Sequence, residues 1–228
     1  MMVHLRHPNI VAFLGGCLNP PDIFIVTEYM ERGDLFSILN NPNIIIEEFH
    51  KRKFTLDTVK GMTYLHSKNI IHRDLKTYNL LVDKDWDVKV GDFGLAKVIE
   101  DDSSRMTVCG TTAWAAPEVL KEQHYTIKAD VYSFGICFWE ICTRQEPFKN
   151  MKPSQVVLAI VNEKLRPEIP SDIRKEYVSI IEACWDEIPE DRPSFAGLVE
   201  ELEYIQAPDP KSPSPYYLQP DTSNTINL

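Results

Sequence analysis

Two short β-rich runs open the chain. "NIVAFLGGCL" covers residues 9–18 and "DIFIVTEYM" covers 22–30. The turn residues of "NPPD" separate them, a combination that predicts two antiparallel strands joined by a tight loop. Gly33 and Asp34 end the pattern, and "LFSILNN" then predicts a short helix. From about residue 54 to 206 the period becomes helical. "FTLDTVKGMTYLHSKN" places Leu56, Val59, Met62 and Leu65 on one stripe. A second long helix starts near Asp130, with Val131, Phe134, Phe138 and Ile141 at helical spacing. The last carries Phe195, Leu198, Val199, Leu202 and Ile205, with Ser194 placed as N-cap after Pro193. Between the first two long helices, "NLLVD" and "DVKVGDF" predict a small hairpin turning at "KDWD". No internal repeat is visible. Residues 207–228 are rich in Pro, Ser, Asn and Asp and read as a disordered tail. Ser212-Pro213 and Ser214-Pro215 stand there as phosphorylation candidates, against a solvated end with no role.

Composition narrows the class. Hydrophobic residues make up 43% and charged residues 25%, enough apolar material for one sizeable core in a soluble globular protein. The net charge of −10 comes with no basic stripe, which argues against a nucleic-acid partner. The longest apolar run, "VYSFGICFWEIC", is too short to span a bilayer and holds Glu140, so it reads as a buried helix and no membrane insertion is expected. The start, "MMVHLRHPNIV", lacks the apolar core of a signal peptide. Cys17, Cys109, Cys137, Cys142 and Cys184 are odd in number and scattered, with no C-x-x-C pair. That suggests reduced thiols and a cytoplasmic setting rather than a disulfide framework or zinc site.

The stretch "IIHRDLKTYNLLVDKDWDVKVGDFGLAKV", residues 70–98, sets isolated carboxylates beside buried-looking apolar residues. Burying a charge is expensive unless something compensates it. A hydroxyl attacking a phosphoryl group needs a carboxylate to orient it and take its proton, and oxygen ligands to hold charge-balancing cations. Asp74 can orient the hydroxyl, and Asn79 and Asp92 can hold Mg²⁺ (or Mn²⁺) together with phosphate oxygens. Lys76 can meet the transferred phosphate as a point charge. This is the H-R-D-x-x-x-x-N plus D-F-G set of phosphoryl transfer from ATP.

On these motifs the chain resembles the eukaryotic protein kinase family over residues 1 to about 206. "GTTAWAAPEVL" looks like the family's acceptor-side loop and A-P-E motif, "KADVYSFGICFWEICT" like its central buried helix, and "IPEDRPSF" supplies a matching arginine. The resemblance implies an α+β protein-kinase-like fold, with a mostly helical large lobe and only a partial β small lobe. It divides the chain into a remnant of small lobe and hinge at 1–30, a large lobe at 31–206 and the tail at 207–228. Catalytic roles fall on Asp74, Lys76, Asn79 and Asp92, with metal at Asn79 and Asp92. Thr27 takes the gatekeeper position, backbone groups of Glu28 and Met30 meet the adenine, Asp34 lies at the ribose, and Leu81 forms the apolar floor. Asp130 ties back to the catalytic loop and Glu118 pairs with Arg192. Phe13, His72, Phe93 and Met2 stack as a spine, with Gly94 completing the D-F-G motif. Thr111 supports Asp74 and Lys76 as a structural hydroxyl.

"HRDLKTYN", "GTT" and "EYMERGDL" look most like the serine/threonine enzymes of the tyrosine-kinase-like group, of Raf and mixed-lineage type. The expected activity is transfer of the ATP γ-phosphate to protein hydroxyls in signalling. Arg73 before Asp74 implies an anionic partner and an upstream activator acting on the loop between Asp92 and Glu118. Ser103, Ser104 and Thr107 are the acceptor candidates, while "EDDSS" as a flexible acidic turn supplying its own counter-charge is the equal alternative.

The likeness stops short in one place. No G-x-G-x-x-G precedes residue 27 and no V-A-I-K appears. Lid and phosphate-binding lysine are thus missing from the pattern, and Met2, Phe13, Ile23 and Ile25 are expected to be partly exposed. An incomplete copy of a longer kinase is the expected explanation. The alternative is a non-catalytic interaction or scaffold module built on a kinase large lobe.

Overall fold

The structure is a computed structural model of the 228-residue chain. It describes residues 5–17, 19, 21–92, 97–98 (backbone only), 112–123 and 126–205. The tail at 207–228, Met2 and Cys109 lie outside them.

Strands β1 (Phe13–Cys17) and β2 (Phe24–Thr27) pair antiparallel, Gly16 opposite Ile25. Leu14, Ile23, Phe24, Ile25 and Val26 of this hairpin are exposed, and Phe13 is half-buried. The chain then turns at Gly33, whose φ of 75° suits a residue without Cβ. β3 (Gly33–Asp34) leads into the short helix α1 (Leu35–Asn40). Asp34 caps α1, its Oδ1 accepting from the Ser37 N–H at 2.8 Å.

Helix α2 (Glu48–Ser67) begins six residues before the predicted Phe54. Its buried face is also wider than the predicted stripe. Phe54, Thr55, Thr58, Val59, Met62 and Leu65 are buried, while Leu56 is only half-buried. The reason is that α2 is covered by β6, α4 and α7 together. Its threonines enter the core because each hydroxyl bonds back along the helix, Thr55 to Lys51 O at 2.8 Å and Thr58 to Phe54 O at 2.7 Å. Gly61 lets α2 approach residue Asn9, whose carbonyl would lie 2.5 Å from any Cβ there.

After α2 come β4 (Ile70–Ile71), a 3-10 turn at Thr77–Asn79, β5 (Leu80–Val82) and β6 (Val88–Val90). The predicted hairpin is present and β3 joins it, giving a three-stranded antiparallel sheet in the order β3-β5-β6. β4 pairs antiparallel with β7 (Lys97–Val98). A 3-10 turn at Thr112–Trp114 precedes the single-turn α3 (Pro117–Leu120).

Helix α4 (Lys128–Thr143) runs through the middle of the core, buried without interruption from Ala129 to Cys142. That accounts for its apolar run, and among the described residues no helix is long and apolar enough to cross a membrane. Its C-terminal neighbour Arg144 takes φ 56° and donates to the carbonyls of Leu39, Asn41 and Ile44, closing the end of α1. α5 (Pro153–Asn162), α6 (Lys175–Cys184) and α7 (Phe195–Tyr204) complete the helical part. Ser194 caps α7, its Oγ accepting from Gly197 N at 3.1 Å. Cys137, Cys142 and Cys184 are free and buried, filling space as small core residues.

Candidate active site

The segment that follows β4 is held from below. Asp130, 1% exposed in the first turn of α4, accepts the His72 N–H at 2.9 Å and the Arg73 N–H at 3.0 Å. His66 at the end of α2 adds a third bond to Asp130 Oδ2 at 2.8 Å. Burial pushes the Asp130 carboxyl up. The hydrogen bond and charge of His66, with the charge and N–H of His72, outweigh that and leave it below its ordinary value. Arg73 sits at φ 73°, a left-handed conformation that these paired N–H groups help to hold.

His72 is fully buried and bridges two segments. Its Nε2 meets Gly91 O at 2.9 Å, and its Nδ1 accepts the Asp74 N–H at 3.4 Å. Asp74 is half-buried, and its Oδ2 accepts from Lys76 Nζ at 2.7 Å and from Asn79 Nδ2 at 3.1 Å. Asn79 Nδ2 also donates to the Asp74 carbonyl at 2.7 Å. The backbone carbonyl of Asn79 accepts the Gly91 N–H at 2.8 Å, so the end of β6 is tied to the same turn. Asp92 follows, exposed, at φ 51°. Asp74, Lys76, Asn79 and the approach to Asp92 therefore form one hydrogen-bonded unit.

A second group of residues lies across the three-stranded sheet. Asp34 is opposite Leu81, and Leu81 is opposite Lys89, which sets the three in a row on one face. Lys89 Nζ pairs with Glu28 Oε2 at 2.6 Å, and Glu28 Oε1 accepts the Ala12 N–H at 2.6 Å. Glu28 N donates to Ala12 O, and Met30 O accepts from Gly33 N. Met30 is buried, Glu28 and Asp34 are half-buried, and Thr27 at the end of β2 is exposed. Both Asp34 oxygens meet Ser37, so this carboxylate works as a helix cap in the structure.

Farther off, Arg192 and Glu118 form a buried bidentate ion pair at 2.7 and 2.9 Å. Arg192 also donates to the carbonyls of Asp186 and Lys128 and packs over the Tyr132 ring. Phe93, Gly94, Ser103, Ser104, Thr107 and Thr111 lie outside the described residues.

The site also contains residues that pattern reading passed over. Glu140 on α4 is 2% exposed and accepts from Thr77 Oγ1 at 3.0 Å and from Trp114 Nε1 at 2.6 Å. Its signal in the sequence was a lone carboxylate inside "CFWEIC". His66 and Lys89 carried no comparable signal, since a histidine at a helix end and a lysine in a strand look like surface residues.

The family model for protein tyrosine and serine/threonine kinases matches residues 1–202. The chain belongs to the protein kinase family. Among its relatives, the probable serine/threonine-protein kinase drkA of Dictyostelium discoideum is 48% identical over 209 residues, covering 91% of this chain and 32% of the relative. The serine/threonine-protein kinase CTR1 of Arabidopsis thaliana is 44% identical over 207 residues, covering 89% of this chain and 25% of the relative. The kinase chain thus spans about a quarter to a third of the length of these curated relatives. The α+β architecture and the serine/threonine names of the relatives agree with the resemblance drawn from the motifs.

Proposed function

We propose that this kinase chain carries the phosphoryl-transfer centre of a serine/threonine protein kinase, moving the γ-phosphate of ATP to protein hydroxyls with Mg²⁺ (or Mn²⁺). The observation that carries the reading is the convergence of Lys76 and Asn79 on Asp74 Oδ2, beside the strand end that presents Asp92. Asp74 orients the acceptor hydroxyl and receives its proton. Lys76, 2.7 Å from that carboxylate, sets a positive charge where the transferred group's negative charge is handed over.

The donor set fits a hard cation. With Nδ2 of Asn79 turned to Asp74, its Oδ1 is the atom left for a metal, and Asp92 adds a carboxylate. One or two such oxygens, with substrate phosphates and water, are what Mg²⁺ takes. When bound, such a cation would neutralise phosphate charge. The row of Asp34, Leu81 and Lys89 provides the nucleotide's base and ribose side, with Leu81 beneath the purine. The Glu28 carbonyl and the Met30 N–H are the backbone groups assigned to the adenine edge, because the Glu28 N–H and Met30 carbonyl are engaged elsewhere. Thr27 takes the gatekeeper position in this reading.

Residues 1–30 then serve as small-lobe remnant and hinge, and 31–206 as the large lobe. Arg73 and the hydroxyls of Ser103, Ser104 and Thr107 belong to control by an upstream activator, and Thr111 supports Asp74. The free, buried thiols fit a reducing compartment, which favours cytoplasmic signalling.

The test is transfer of labelled phosphate from ATP and Mg²⁺ to a generic protein substrate, beside an Asp74→Asn control. Signal in the unaltered chain that vanishes in the control is expected. Equal signal from both defeats the reading and leaves the interaction-module alternative.

A further inference from the structure

Helix α1 is six residues long, too short to hold its shape unaided. The rest of the molecule fixes it. Leu35, Ile38 and Leu39 are buried in the core. The Phe36 ring stacks on Tyr78 of the Thr77–Asn79 turn, with centroids 3.9 Å apart and planes 18° apart. Past its far end, Arg144 donates to the carbonyls of Leu39, Asn41 and Ile44. A group carried on α1 therefore has a set position relative to Asn79, and through it to Asp74.

Ser37 is the exposed residue of the first turn of α1. Its backbone N–H donates to Asp34 Oδ1 and its hydroxyl to Asp34 Oδ2, each at 2.8 Å. The N–H bond by itself caps the helix. It leaves the carboxylate free to turn about its terminal torsion, which is broad in aspartate. The hydroxyl bond to the other oxygen removes that freedom and fixes the carboxylate plane. Among the described residues no other donor reaches this carboxylate. An ionised carboxyl offers about four lone-pair sites, so Ser37 leaves roughly half of them for a ligand. The group that offers them is half-buried and stands opposite Leu81 in the sheet.

We propose that Ser37 is a positioning residue for the nucleotide, its hydroxyl holding the plane of the Asp34 carboxylate so that a remaining lone pair receives a ribose hydroxyl. The inference rests on the phosphoryl-transfer reading, which puts the ribose at Asp34. It goes further in assigning ribose selectivity to a side chain that does not itself meet the nucleotide.

The consequence is selective. Without the hydroxyl, Oδ1 stays tied to the Ser37 N–H and the helix stays capped. The carboxylate then samples other planes, and the bond to the ribose pays the entropy of choosing one. Leu81, the backbone groups of Glu28 and Met30, and the oxygens of Asn79 and Asp92 are untouched by the change. A nucleotide lacking the ribose hydroxyl in question has nothing to lose from it. A loss of the cap, in contrast, would weaken every nucleotide alike.

The experiment titrates the full chain, Ser37→Ala, Ser37→Thr and Asp34→Ala calorimetrically with ATP, 2′-deoxy-ATP and 3′-deoxy-ATP in the presence of Mg²⁺. Transfer of labelled phosphate is measured on the same samples. The unaltered chain is expected to prefer ATP to at least one deoxynucleotide by about tenfold, as a lost hydrogen bond to a charged group implies. Asp34→Ala should bring that preference below about twofold. Ser37→Ala should bring it to about threefold by weakening ATP, while the deoxynucleotide changes less than about twofold. Ser37→Thr keeps a hydroxyl and should restore the preference. A preference that survives Ser37→Ala or Asp34→Ala overturns the proposal. Equal weakening of all three nucleotides in Ser37→Ala marks a merely structural cap and also overturns it, as does failure of Ser37→Thr to restore the preference. Should the unaltered chain show the preference and transfer no phosphate, the phosphoryl-transfer reading fails while the Ser37 assignment stands. A chain that binds none of the three nucleotides overturns both.

Discussion

Arg192 grips Glu118 through two parallel N–H···O bonds of 2.7 and 2.9 Å, with both side chains nearly sealed from water. The pair joins α3 to the segment before α7, and the remaining guanidinium N–H groups go to the carbonyls of Asp186 and Lys128. Removing one partner strands the other charge in the interior. Arg192→Met is expected to cost about 3–5 kcal/mol, read as a lowered urea midpoint. Arg192→Lys should recover little, because an ammonium cannot reproduce the fork. A Lys variant as stable as the unaltered chain would count against the geometry.

Gly61 tests the contact between α2 and the N-terminal segment. Alanine is the better helix former by about 1 kcal/mol. Here its Cβ would meet Asn9 O at 2.5 Å and Val90 Cγ2 at 2.9 Å. Gly61→Ala is therefore expected to destabilise by about 1–3 kcal/mol, reversing the propensity effect. Chemical denaturation checks the sign.

Two buried carboxyls give opposite pH signatures. Asp130 lies below its ordinary 3.8 in the folded chain, so its stabilising contribution is present above that value and is lost as pH falls through the folded one. Asp130→Asn should be less stable at pH 7, and the difference from the unaltered chain should shrink below about pH 4. Urea midpoints measured from pH 3 to 7 decide it.

Glu140 runs the other way. Its carboxyl rises from 4.5 to about 8 on folding, so the stability it contributes is full below 4.5 and declines as pH climbs through 8. Glu140→Gln should flatten that decline. A decline of equal slope in the variant would assign it to other groups.

Asp74→Asn and Asp92→Asn are expected to fail differently. On the proposed phosphoryl-transfer reading, the first removes the proton acceptor and should lower kcat on the order of a hundred- to ten-thousand-fold while nucleotide binding persists. On the same reading, the second weakens the proposed metal set, so Mg²⁺-dependent nucleotide affinity should fall with kcat. Calorimetric titration with ATP, with and without Mg²⁺, separates the two.

The one-dimensional sequence determined the element types wherever a period was long or a turn signal sharp. The α4 and α7 helices, the Ser194 cap, the β1–β2 and β5–β6 hairpins and the family all followed from patterns within a few residues of one another. The H-R-D and D-F-G motifs are short runs of the sequence, and the family they pointed to is the one that matches residues 1–202. Tertiary structure alone decided the partnerships. The two-residue strands β3, β4 and β7 are stabilised only by the neighbours they pair with, and so leave no local period. Thr55 and Thr58 lie outside the stripe of Leu56, Val59, Met62 and Leu65, and they enter the core because their hydroxyls bond backward along the helix. Glu140 read as an interruption in an apolar run, because a hydrogen bond between residues 63 apart has no expression in a window of neighbouring side chains.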